Sequence, residues 1–107
     1  MIVLAAHPLE TTLSAIERRI CDLENRKYRA ISASGKRRKL IHEFLSDMME
    51  QGKQNHPAYQ VLCKEKVNIY DRATAVKTEL EKQIAAADAQ YMTVLYSVKN
   101  IYLEEIK

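Results

Sequence analysis

Residues 57–106 read PAYQVLCKEKVNIYDRATAVKTELEKQIAAADAQYMTVLYSVKNIYLEEI. After Pro57 no proline or glycine interrupts the run, so nothing in its backbone chemistry stops a helix once begun. Its apolar residues keep heptad phase: Tyr59, Leu62, Ile69, Ala73, Val76 and Leu80, with Lys66 filling one slot, then Ile84, Ala87, Tyr91, Val94, Val98 and Ile101. Two successive steps of four, Val76 to Leu80 to Ile84, form a stutter that locally relaxes a left-handed supercoil. At 1.5 Å per residue this helix would be about 75 Å long. The rest of the chain must then supply whatever covers its apolar stripe.

Upstream, Leu9, Leu13, Ile16, Ile20 and Leu23 recur at alternating steps of four and three, the narrow seam of a coiled coil. The same count passes through Lys27, Ala30, Ser34 and Arg37 and returns to Ile41, Phe44 and Met48. Because the phase survives its polar middle, the reading is one helix over residues 8–51. Ser32-Ala33-Ser34-Gly35 is where that helix would break, giving a three-helix arrangement, since a glycine inside a helix costs about 1 kcal/mol relative to alanine. The His7-Pro8 step disfavours helix before the proline, so the start falls between positions 8 and 14, with Glu10 and the Ser14 to Glu17 capping spacing in support. Residues 1–7 read as an arm. Between the helices, residues 52–56 form a turn: Gly52 suits a helix C-cap, Asn55 or His56 an N-cap, and Pro57 a first turn. So short a connection makes the helices antiparallel neighbours, with position i opposite roughly position 107 minus i. The expected fold is therefore all-α, a single domain over residues 1–107 built as a long antiparallel helical hairpin with coiled-coil-like packing.

Composition agrees. Gly35, Gly52, Pro8 and Pro57 are the only glycines and prolines, too few turn formers for a barrel or sandwich, and helix formers dominate the remainder. The net charge is +3, but seven cations and no acid lie between Arg26 and Lys39, which leaves ten basic against fourteen acidic residues elsewhere. Cys21 and Cys63 stand far apart with no C-x-x-C pair, as expected of ordinary thiols in a reducing compartment. Met1 to Ala6 is apolar but has no charged segment before it and is too short for a membrane span. A cytoplasmic protein with no membrane span is expected.

Little points to catalysis. His7, His42 and His56 are isolated, Gly35-Lys36-Arg37 lacks both the upstream glycine and the following Ser or Thr of a phosphate loop, and Asp71, Glu79 and Glu81 read as solvated charges on a helix face. No catalytic residue, metal ligand set, cofactor or small-molecule substrate is expected.

Two stretches instead suggest binding. From Tyr91 to Ile106 the apolar arc covers more than half the helix circumference, more than a two-helix seam uses. The hairpin register brings Leu9 and Leu13 beside Leu95, Tyr96, Tyr102, Leu103 and Ile106, and the excess calls for the arm, a second copy of the chain or another protein to cover it. The leading expectation is a non-enzymatic adaptor, assembly chaperone or small subunit that packs helices in a dimer or hetero-oligomer. The alternative is a nucleic-acid-binding module, with Arg26, Lys27, Arg29, Lys36, Arg37, Arg38 and Lys39 following a phosphate backbone and Tyr28 stacking on a base.

Overall fold

The structure, a computed structural model, describes residues 8–106, the side chains of residues 102 and 106 excepted. Two helices make up the fold: α1 over Pro8–Glu50 and α2 over Pro57–Ile106. No strand occurs among the described residues. Helix α1 begins at the proline the sequence singled out and runs without a break through Ser32-Ala33-Ser34-Gly35, so the hairpin forms and the three-helix alternative does not. It ends at Glu50, one residue before the expected boundary. The proposed arm lies outside the described residues.

The turn shows why the chain reverses here. Gly52 sits at φ +66°, the left-handed conformation that costs a residue with a Cβ about 1–2 kcal/mol. That geometry lets the Lys53 amide donate to Met48 O at 2.8 Å and the Gly52 amide to Met49 O at 3.0 Å, the paired bonds of a Schellman cap. On the far side His56 Nδ1 accepts from the Ala58 amide at 3.0 Å, so His56 caps α2 and Pro57 occupies a position where its missing N–H loses nothing.

Contacts divide the hairpin into two compact units. One joins α1 up to Asn25 with α2 from Leu80, and the other spans Arg26–Glu79. In the first, Leu23 and Ala87 are buried, with Ile16, Ile20, Ile84, Tyr91 and Val94 half-buried along the seam. In the second, Ile41, Leu45 and Ile69 form a buried cluster against which Tyr59, Leu62 and Cys63 pack. Burying each such aliphatic side chain is worth about 1.5–3 kcal/mol. The antiparallel register holds in both units: Glu17 meets Tyr91 and Arg38 meets Tyr70, each pair of numbers summing to 108, one more than expected.

The seam of α1 departs from the simple heptad count in one place. Leaving aside Ser32 and Ser46, which are half-buried off this line, the buried and half-buried positions run Ala30, Ser34, Arg38, Ile41, Leu45 and Met48, so two steps of four replace the expected four and three. Arg37 and Phe44, expected in the seam, are exposed, and Arg38 and Leu45 take their places. A strict heptad drifts about 20° per repeat on a straight helix, and one added four-residue step corrects that drift. It falls here because Ala30, Ser34 and Ala73 are too small to hold a phase of their own. The phase is set instead by Ile41 and Leu45 closing on Ile69.

Helix α2 keeps its expected register from Tyr59 to Val94, with Val76 opened to solvent. Val98 and Ile101 are also exposed, where a seam was expected. Position 101 would face position 7 in this register, outside the described residues, so α1 offers it no described turn to pack on.

Candidate interaction faces

In the unit containing the chain's ends, Leu9 and Leu13 are half-buried, whereas Leu95, Tyr96 and Leu103 are exposed. Met92, Val98 and Ile101 join them, so three turns of α2 carry six exposed large apolar side chains. Met92, Leu95, Tyr96 and Leu103 fall on one flank at helical spacing, and Val98 and Ile101 lie nearer the seam line. The side chains of Tyr102 and Ile106, also expected in this face, lie outside the described residues. The opposite flank holds a shallow groove lined by Thr12, Ile16, Ala86, Ala89, Gln90, Thr93 and Val94. Val94 apart, its α2 wall is made of small or polar groups, so two neighbouring surfaces of different chemistry run along this unit.

Tyr91 ties the helices together beside that face. Its hydroxyl donates to Glu17 Oε1 at 2.9 Å across the hairpin. The hydrogen bond to a carboxylate raises the phenol's pKa above its ordinary 10.0, with desolvation and the Glu17 charge adding in the same direction.

The Arg26–Glu79 unit carries the cationic stretch. Arg26, Arg29, Lys36, Arg37 and Lys39 are exposed, and Lys27 and Arg38 are half-buried. The seven cations therefore differ in exposure. Arg38 occupies a seam position, its guanidinium carbon 5.1 Å from the centre of the Tyr70 ring and its Nε buried without a hydrogen-bond partner. A cation over an aromatic face gains about 0.5–2 kcal/mol, while an unsatisfied buried donor costs about 1–3 kcal/mol, so Arg38 contributes little net stability. Tyr28, assigned a stacking role beside the cations, stands three-quarters exposed at 74 %.

On the other flank of the same unit Arg37 and Arg72 border a groove over Ala30, Ala33, Ala73 and Ile69, with Val76 at its edge. Its volume is ≈ 280 Å³. Ser34 lines it and is only 7 % exposed. Arg72 Nη2 reaches Glu65 Oε1 at 2.7 Å within α2. This groove was hidden in the simple heptad reading because that count turned Arg37 and Phe44 inward. Two features of the sequence favour the other phase: four residues separate Ala30 from Ser34 and Ser34 from Arg38, and the aliphatic pair Ile41 and Leu45 continues from there.

No described group of three or more His, Cys, Asp or Glu side chains is placed to hold a metal ion, and no described helix is long and apolar enough to cross a membrane. Both cysteines are free thiols, Cys21 exposed and Cys63 half-buried. No protein-family model, curated protein or solved structure matches the chain.

Proposed function

We propose that this chain is a non-enzymatic interaction protein that works by helix packing, as an adaptor, assembly chaperone or small subunit of a complex. Its partner presents an apolar helix face to the last turns of α2. The observation that carries this reading is the density of exposed apolar surface there: Met92, Leu95, Tyr96, Val98, Ile101 and Leu103 stand between 37 and 58 % exposed within three turns. Scattered surface leucines are ordinary, but a contiguous patch of this kind on one helix marks an interaction site. Completing the burial of even three of these side chains would contribute several kcal/mol, on a scale of about 1.5–3 kcal/mol per fully buried residue. Tyr96 suits such a place because its ring buries area while its hydroxyl stays wet.

Light scattering on the purified chain, paired with affinity capture from its own host, tests the reading. The expected result is a mass above that of the monomer, or a stoichiometric protein partner. Either is lost in Leu95→Glu with Leu103→Glu while the helical circular-dichroism signal persists. A monomer whose double variant captures the same proteins as the wild type would refute it.

A further inference from the structure

The second unit supports a different docking face, independent of the α2 end. On α1, Ala33, Arg37, Leu40 and Phe44 follow one another at steps of four, three and four, so they form a single stripe beside the seam. Ala33 and Arg37 line the Ser34 groove, which places the whole stripe on the groove's flank. Leu40 and Phe44 are about half-exposed, as is Val76 across the groove. The stripe is thus cationic toward Arg26, Arg29 and Arg37 and apolar toward Phe44, with a floor of small residues between the helices.

We propose that this face docks an amphipathic α-helix of another protein whose flank carries carboxylates. The small floor residues let a third helix approach closely, and Leu40, Phe44 and Val76 give its apolar stripe something to cover. Arg37 and Arg72 stand on the two sides of the groove, with Ser34 in its floor. A Glu or Asp carboxylate entering there would pair with guanidinium groups suited to fork-like recognition. Arg72 already donates from Nη2 to Glu65 and from Nε to Asn68 O, which leaves its Nη1 donors to face the incoming acid. A phosphodiester backbone would match the cations but leave Leu40, Val76 and the alanine floor uncovered, so the mixed surface favours a helix over a nucleic acid.

The test uses a synthetic amphipathic peptide of about 21 residues, three heptads with Leu at the seam positions and Glu on both flanks, and a second peptide with every Glu replaced by Gln. Fluorescence anisotropy measures each against the full chain. The acidic peptide is expected to bind at least tenfold more tightly than its Gln counterpart, a comparison that leaves the protein unaltered. Arg37→Gln with Arg72→Gln should weaken it by a similar factor, and Phe44→Ser should weaken both peptides, with circular dichroism confirming that the helices persist. Equal binding of the two peptides, no binding of either, or an RNA duplex that displaces the acidic peptide at equal concentration would each overturn the proposal.

Discussion

At the scale of single residues, the two glycines do opposite things. Gly35 lies in the interior of α1 with ordinary backbone angles, and a Cβ built on it meets nothing within 4 Å. Gly35→Ala is therefore expected to stabilise the protein by about 0.5–1 kcal/mol, seen as a raised thermal midpoint. Gly52→Ala, forced into the φ of +66°, should destabilise the protein by about 1–2 kcal/mol and lower that midpoint, despite equal room for the side chain. Tyr91 gives a pH signature. Because its folded pKa lies above that of the unfolded chain, its contribution to stability is complete below pH 10.0 and disappears as pH rises through the raised value. Ultraviolet titration of the wild type minus that of Tyr91→Phe should resolve one phenol ionising above 10.0, and Glu17→Gln should bring that midpoint back down. An unchanged midpoint in Glu17→Gln would show that the hydrogen bond is not the cause.

At the scale of the helix, the deciding feature is the extra four-residue step in α1. It separates two adjacent apolar residues into different roles, Leu45 buried at 7 % and Phe44 exposed at 46 %. Leu45→Ala should cost about 2–5 kcal/mol, enough to unfold a small hairpin, whereas Phe44→Ala should cost well under half as much. Denaturant unfolding of both variants measures this. Equal losses would restore the uninterrupted heptad. The simple count failed here for a physical reason: Ala30, Ser34 and Ala73 fill the seam so little that alternative phases cost almost the same locally. Only the larger residues on the C-terminal side of that stretch choose between them, and a count carried forward from Leu23 weighs them last. The α2 stutter was readable because Leu80, Ile84 and Ala87 flank it with clearly apolar residues.

For the whole molecule, helix identity, the reversal at Gly52 and the pairing register were all legible from residue types alone. Long proline-free runs with apolar periodicity leave the chain few alternatives, and a single tight turn then fixes which turns must meet. Less legible was how the cations would divide. Seven basic residues in one stretch look like one surface, yet their helical spacing sends Arg38 into the seam beneath Tyr70, Arg37 to the edge of a groove, and others to open solvent. Charge counts carry no azimuth, and azimuth here depends on the displaced phase. The apolar end of α2 was visible as an excess of large residues, although the sequence could not say that Val98 and Ile101 would join the exposed set. The turn at Gly52 also has a mechanical meaning. With the two helices joined there and antiparallel, tension applied to the chain's two ends loads each unit like a zipper, so seam contacts yield in succession and no set of them shares the force.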